Sequence, residues 1–299
     1  IGSGTVSVVV GRMNLAESAK SVVLALAEIL HVAPQAKVLP VLRRGNVRGA
    51  ITAGLTPQRG AADTAEILTL AAAGKIDTLV LLGSDPLSDV PDADLARRGL
   101  AGARNIISID TFMTPSTSQA DVVLPAAAYG EKNGTTTNLE GRISNIAQKI
   151  TPAGTARPDW MIAVELASAL GKELGLGSVE DVTAKLAKTV AQFAPAAETK
   201  ALRHDGVVMN RPTPITLNRA EAPANDRNSY DYRIVSFRKL YDSGISTAKS
   251  PSLVALATGA TVVVHPLDLD RIGVQAGAHV QVIGEKATVV LPVSTSEDV

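Results

Sequence analysis

From Asp110 the chain reads DTFMTPSTSQADVVLPAAAYGEKNGTTTNLEGRISN (110–145), and after a short run it closes with KITPAGTARPDW (149–160). The apolar stretch Asp121–Leu124 has the length of a buried strand and stops at Pro125, which cannot donate to a ladder. A glycine-rich polar loop follows, carrying Glu131, Lys132, Asn133, Asn138, Glu140 and Arg142. Open α/β sheets hold their ligands where apolar strands run out into such loops. This stretch therefore predicts both a fold class and the place to look for a site.

The residues on either side extend the pattern. Upstream, β-rich runs at Thr5–Val10, Lys37–Leu42, Thr78–Leu82 and Asn105–Ile109 alternate with helical patterns at Leu15–His31, Asp63–Ala73 and Ala93–Leu100. Asn14 is a candidate N-cap, and Gly74 and Gly83 are stop signals. Strands apolar on both faces and separated by helices predict a parallel sheet covered on both sides. An amphipathic helix over Asp159–Leu174 closes this Rossmann-like α/β layer, assigned to residues 1–178. Val179–Phe193 reads as one more helix. The chain from Ala194 to Ser250, punctuated by Pro195, Pro212, Pro214 and Pro223, reads as an irregular connecting or partner-wrapping segment, so residues 179–258 form a second division. Thr261–His265, His279–Ile283 and Ala287–Val293 are three β-rich runs read as the start of a β-barrel domain over 259–299. Ile1 and Val299 bound what is expected to be a segment of a longer polypeptide, with no signal or transit peptide at its start.

Composition narrows the functions. Hydrophobic residues make up 45% of the 299, but aromatics only 3%, so the core has to be built from Ala, Val, Leu and Ile. Net charge is zero and the pI about 7.1, which gives no electrostatic footprint for nucleic acid or an anionic membrane. No apolar run approaches the roughly 18 residues of a membrane span. Mean hydropathy of +0.17 is high and suggests surface covered by partner proteins. With no cysteine, disulfides, thiolate zinc and Cys-ligated iron–sulfur clusters are excluded within these residues. His31, His204, His265 and His279 lack ligand spacing, so no metal site is expected. There is no P-loop, no G-x-S-x-G and no carboxylate–histidine arrangement of a hydrolase.

Three motifs have both a ligand reading and a bland one. Leu81-Leu82-Gly83-Ser84-Asp85-Pro86 is a strand end whose glycine would let backbone approach a phosphate, or simply a turn. Asp110 at the end of its strand would accept from a purine edge or a ribose, or cap the turn before Pro115. Lys132 would offer a cation to a diphosphate, with Thr135, Thr136 and Thr137 as hydroxyl donors, or Asn133-Gly134 would be an ordinary hairpin turn. The basic, glycine-containing run Arg43-Arg44-Gly45-Asn46-Val47-Arg48-Gly49-Ala50 is also compatible with a surface loop.

Taken in order, the turn Gly83–Pro86, ADVVLP (120–125), EKxGT (131–135), NxEGR (138–142) and RPDW (157–160) resemble the molybdopterin-guanine-dinucleotide oxidoreductase family. HPLDLDRIG (265–273) resembles the opening of that family's C-terminal barrel. Arg44–Ala50 with Gly54–Pro57, and Arg238–Asp242 with Ser250–Leu253, are most similar to the branch that forms the large peripheral-arm subunit of bacterial respiratory NADH:quinone oxidoreductase. The resemblance implies that positions matching Asp110, Lys132 and Asp159 contact a guanine dinucleotide in cofactor-bearing members. Two positions depart from the pattern. Asp85 stands where Asn is usual, and a carboxylate beside a diphosphate costs roughly a kcal/mol or more. Ile109 stands where Ser is usual, removing a hydroxyl. The implied role is a cofactor-free scaffold whose dinucleotide site is vestigial and that has no catalytic residue. The parent subunit is expected to carry iron–sulfur clusters elsewhere and to bind other peripheral-arm subunits on the cytoplasmic side of the inner membrane, without insertion and without nucleic acid. The alternative is the catalytic domain of a working molybdopterin-guanine-dinucleotide enzyme of the formate dehydrogenase or nitrate reductase type.

Overall fold

The computed structural model describes residues 4–11, 19–42, 44–57, 60–197, 202, 205–211, 217, 232–236, 239, 241–284 and 288–299. The expected start of the first helix, much of the Pro-punctuated segment and the motif residues Arg238 and Leu240 lie outside them. The chain divides into two compact units, Ile1–Gly11 with Val23–Glu221, and Arg12–Val22 with Ala222–Val299. The fold is mixed α/β with parallel sheets and helices.

In the first unit, β1 (Ser7–Val10) pairs in parallel with β2 (Lys37–Pro40); the helix α1 (Ala19–Val32), which belongs to this unit from Val23 onward, lies between them in sequence. A second parallel sheet, β3 (Thr78–Leu82), β4 (Asn105–Asp110) and β5 (Val122–Pro125), forms in sequential order. Two parallel sheets thus stand where one layer was expected. A short helix, α2 (Val47–Thr52), follows the basic loop. The helix α3 (Thr64–Ala72) is capped by Asp63, whose carboxylate accepts the Glu66 N–H at 2.9 Å. One turn, α4 (Pro86–Asp89), and the helix α5 (Ala93–Gly102) connect β3 to β4, and Asp92 caps α5 through the Leu95 N–H. Leu79, Leu81, Leu100 and Ile106 form the core of this layer, an aliphatic core as the composition requires.

The polar loop after β5 folds into more than a loop. β6 (Gly134–Thr137) and β7 (Arg142–Ile146) form an antiparallel hairpin, which β8 (Val207–Val208) extends. The hairpin turn is Asn138–Gly141, with Gly141 at φ 87°. The alternative of a turn at Asn133-Gly134 is therefore corrected: Gly134 opens a strand, because the three threonines that follow are β-branched and favour extended backbone.

The helix α6 (Asp159–Ala169) ends five residues before the expected Leu174, where Gly171 adopts φ 77°. The helix α7 (Val179–Thr189) gives way to a 3-10 turn over Ala191–Ala197 containing Pro195. Phe193, Ala196, Leu202 and Met209 pack with Ile143 of β7 into a second core. Part of the segment read as irregular is thus tied to the hairpin. At the start of α7, Ser178 accepts the Asp181 N–H at 3.1 Å, and the Asp181 carboxylate accepts the Gly177 N–H at 3.0 Å. The Gly177 N–H first, and then the Ser178 hydroxyl, donate to the carboxylate and hold the Asp181 carboxyl below its ordinary value of 3.8. A depressed folded-state value means the contribution is complete above the ordinary value and is lost as pH falls through the lowered one. Urea midpoints of wild type and Asp181→Asn should therefore differ at pH 6 and converge only on the acid side of 3.8. A constant gap through the acid limb would contradict this.

The second unit carries β9 (Val262–Val264), β10 (His279–Ile283) and β11 (Thr288–Thr295) in the order β10-β11-β9, the β10–β11 pair antiparallel and the β11–β9 pair parallel. The three expected β-rich runs are strands, and among the described residues they close no barrel. The unit also carries the one-turn helix α8 (Ile245–Ala248) and the helix α9 (Pro266–Ile272). His265 caps α9, its Nδ1 accepting the Leu267 N–H at 3.2 Å.

Candidate functional site

The site forms at the carboxyl ends of β3, β4 and β5. Gly83, at φ 54°, turns the chain out of β3 and donates its N–H to the Ile109 carbonyl at 2.8 Å. The Ala126 N–H donates to the Asp110 carbonyl at 2.9 Å. Ala126 in turn pairs in parallel with Arg157, whose N–H reaches the Pro125 carbonyl at 3.1 Å and whose carbonyl accepts the Ala127 N–H at 2.8 Å. The chain entering α6 is thereby laid beside the end of β5. Ile109, Ala126 and Ile162 seal the base of this arrangement.

The three residues assigned to the dinucleotide come to this same edge. The Lys132 ammonium forms an ion pair with the Asp159 carboxylate, two groups 27 residues apart in sequence. Asp110 stands apart from that pair. Its Oδ1 accepts the N–H groups of Thr111 at 2.7 Å and Phe112 at 3.3 Å, and its Oδ2 is buried without a partner. A buried carboxylate oxygen with no donor is costly and suits a ligand that brings one. The donor edge of a guanine fits this position. The diphosphate end fits less well, since the Lys132 charge is already neutralised by Asp159.

Most of the remaining polar residues of the loop are turned to structural use. Glu131 accepts the Ala128 N–H at 2.8 Å, and Asn133 accepts the Gln148 N–H at 2.8 Å. Asn138 holds the Arg142 N–H at 2.9 Å. The two departures from the family pattern are also internal. Asp85 is only 1% exposed. Its Oδ1 accepts both the N–H and the hydroxyl of Ser116, and its Oδ2 accepts the Ser88 hydroxyl at 2.6 Å. Its carboxylate is thus spent within the fold, which corrects the expectation that it confronts a diphosphate. Ile109 is packed against α6.

Sequence reasoning missed the hydroxyl-rich run after Asp110. Ser108, Thr114 and Thr117 are buried and linked through the Thr117 Oγ1, at 3.0 Å from Ser108 and 2.9 Å from Thr114. The signal was present in TPSTS (114–118), a run of small hydroxyl residues directly after a strand-end carboxylate.

The profile of the molybdopterin oxidoreductases matches residues 11–169, more than half of the chain. The chain belongs to the molybdopterin oxidoreductase family. Among curated relatives of this family member, the NADPH-Fe(3+) oxidoreductase subunit alpha of Geobacter sulfurreducens is 27% identical over 266 residues, covering 82% of this chain and 31% of the relative. The F420-dependent formate dehydrogenase subunit alpha of Methanocaldococcus jannaschii is 26% identical over 253 residues, covering 75% of this chain and 37% of the relative. A shorter, more similar match is to a subunit of the NADH-quinone oxidoreductase of Rhizobium meliloti, 42% identical over 106 residues, covering 36% of this chain and 12% of the relative. The chain spans about a third of the length of the first two. Among solved structures, the acetylene hydratase from Pelobacter acetylenicus superimposes with a TM-score of 0.57 at 16% identity, covering 79% of this chain and 38% of that one; this likeness concerns the fold. No helix among the described residues is long and apolar enough to cross a membrane.

Proposed function

We propose that this chain is part of the large peripheral-arm subunit of a proton-pumping NADH:quinone oxidoreductase. In this reading the segment keeps the molybdopterin fold as a cofactor-free scaffold and contributes no catalytic residue. The observation that carries the scaffold role is the Lys132–Asp159 ion pair, which closes on itself the cation a diphosphate would need. The parent complex is supported by the 42% identity to a subunit of an NADH-quinone oxidoreductase. Electrons then pass from NADH to quinone through iron–sulfur clusters held elsewhere in the parent chain. Its partners are other peripheral-arm subunits on the cytoplasmic side of the inner membrane. The division into residues 1–178, 179–258 and 259–299, the last continuing into a barrel, belongs to the same reading.

A second reading is favoured by the free Oδ2 of Asp110. In a working molybdopterin-guanine-dinucleotide enzyme, Asp110 would hold the base, and Lys132 and Asp159 the linkage beside it. The bound group would supply two-electron redox chemistry at molybdenum or tungsten.

The two readings separate on the metal and GMP content of the full polypeptide in its native assembly. The scaffold reading expects neither, with NADH:quinone activity intact. Stoichiometric metal and acid-released GMP would establish the second. In the same assembly Lys132→Ala should leave NADH:quinone activity within about twofold of wild type, since loss of an ion pair that solvent reaches costs under about 1 kcal/mol. Loss of activity in a fully assembled complex would overturn the scaffold role.

A further inference from the structure

Gly134 opens β6, yet nothing in the packing requires a glycine there. A Cβ at Gly134 would meet nothing within 4 Å, and its φ is not in the positive range. Nor is Asn133-Gly134 the hairpin turn, which lies at Asn138–Gly141. What sets Asn133 apart from every other described asparagine is the residue that follows it. Asn46 precedes Val47, Asn105 precedes Ile106, Asn138 precedes Leu139, Asn145 precedes Ile146 and Asn210 precedes Arg211.

The Asn133 side chain is set up for attack at its amide carbon. The residue is exposed, and its Oδ1 accepts the Gln148 N–H at 2.8 Å. That donor polarises the Cγ–Oδ1 bond and would stabilise the negative charge that builds on Oδ1 when Cγ is attacked. No described residue accepts a hydrogen bond from Nδ2, the leaving group. A cavity of about 680 Å³ borders the side chain and is lined also by Asn145, Lys149 and Glu180. A cavity this roomy and polar admits water, and through it ammonia can leave.

The attacking atom is the Gly134 backbone nitrogen, next along the chain. Without a Cβ, glycine leaves that nitrogen unshielded. β6 is an edge strand, in the order β6-β7-β8, and Gly134 pairs with Ile146 as the first rung of its ladder. Strand ends open locally at little cost, which frees the nitrogen while the rest of the hairpin stays paired.

We propose that Asn133 is a site of spontaneous deamidation in the folded chain, with water as its co-reactant. The Gly134 nitrogen gives up its proton to solvent and bonds to Asn133 Cγ. The Cγ–Nδ2 bond then breaks and ammonia departs, leaving a five-membered succinimide. Water opens this ring at one of its two carbonyls. Opening at Cγ restores the main chain and leaves aspartate. Opening at the backbone carbonyl carries the main chain through Cβ and Cγ and leaves isoaspartate. Either product adds one negative charge to a chain of zero net charge, one residue from Lys132. Isoaspartate also lengthens the backbone by one carbon at the entry to β6, where the pairing register leaves no slack. The edge of the hairpin thus changes with the age of the molecule. The site goes beyond the scaffold reading and does not depend on it.

The test is peptide mapping by mass spectrometry after the folded chain has been incubated at mildly alkaline pH in heavy-oxygen water. A brief digestion in ordinary water then distinguishes conversion during work-up. Trypsin cuts after Lys132 and Arg142 and releases residues 133–142, which carry Asn133 and Asn138 in one peptide. Asn133 should convert at least about tenfold faster than Asn138, equivalent to about 1.4 kcal/mol in barrier. The product should include isoaspartate, read by isoaspartyl methyltransferase labelling. Gly134→Ala, whose Cβ has open space, should fold and convert about tenfold more slowly. Conversion of Asn133 only in urea, or no faster than that of Asn138, would overturn the proposal. So would aspartate without isoaspartate, or a folded Gly134→Ala chain that converts at the wild-type rate. None of these readouts bears on metal, GMP or NADH:quinone activity, so this proposal and the scaffold reading can fail separately.

Discussion

Replacing Asp85 with alanine should destabilise the chain by about 2–4 kcal/mol, because it strands buried hydrogen-bond donors. The carboxylate is 1% exposed and takes three donors: the Ser116 N–H at 3.1 Å, the Ser116 hydroxyl and the Ser88 hydroxyl. The Ser116 hydroxyl in turn accepts the Leu87 N–H at 3.1 Å. Asp85 thus ties the turn after β3 to the loop after β4, across 31 residues of sequence. Alanine leaves those donors facing a small void, away from the bulk water that could replace the acceptor. Each buried donor so stranded costs about 1–3 kcal/mol, though the two hydroxyls can rotate and recover part of it. Asp85→Asn should behave differently. The amide oxygen can keep both bonds from Ser116, and its NH₂ can donate to Ser88 Oγ, which reverses its role. Only the charge assistance is lost, roughly 1–2 kcal/mol. Urea unfolding of the two variants measures the difference directly. If alanine and asparagine are equally mild, Asp85 is not the tie described.

Asp85 also shows what local sequence reading cannot reach. The strands Thr78–Leu82 and Asn105–Asp110 and the helices around them were legible because continuous apolar runs end at glycine, proline or a capping aspartate. Those signals lie within a few residues of the elements they bound. The partner of Asp85 lies in another loop, and nothing in GSDP (83–86) distinguishes a carboxylate that faces a ligand from one that faces Ser116. The burial of Ile109 against Ile162 is equally non-local. The β6–β7 hairpin was read only as a ligand loop or as a turn misplaced at Asn133-Gly134, for a different reason. GTTT (134–137) lacks the apolar alternation of a half-buried strand, and its hydroxyls drew attention as donors while its β-branching carried the structural information. In the candidate site, Asp110, Lys132 and Asp159 were each identifiable through the family pattern. That Lys132 and Asp159 satisfy each other, while Asp110 keeps a free oxygen, required the three-dimensional arrangement.

Gly102→Ala should cost at least about 2–3 kcal/mol although it replaces glycine with the best helix former. The seam between α3 and α5 is built on small residues. A Cβ at Gly102 would lie 2.3 Å from the Ala71 carbonyl oxygen and 2.8 Å from the Ala72 Cα, both backbone atoms of α3. Neither can move away as a side chain would, so relief requires the two helices to separate. That separation loosens Leu68 and Leu100, 2% exposed each, from their packing. Overpacking of a fitted core typically costs about 1–3 kcal/mol and more where backbone must shift, whereas the gain in helix propensity is about 1 kcal/mol in a helix interior and less at the last residue of α5. The steric term therefore wins. Gly99, one turn earlier on the same face, provides the comparison. Its Cβ would meet the Leu68 Cδ2 at 2.8 Å and the Leu68 carbonyl at 3.0 Å. The nearer of these is the tip of a flexible side chain, which a rotamer change can withdraw. Gly99→Ala should accordingly be the milder variant by about 1 kcal/mol or more, with part of its cost offset by propensity. Thermal or urea denaturation of the two alanine variants decides the matter. Should Gly102→Ala prove neutral or stabilising, the close approach of α5 to the backbone of α3 would not be a feature of this protein.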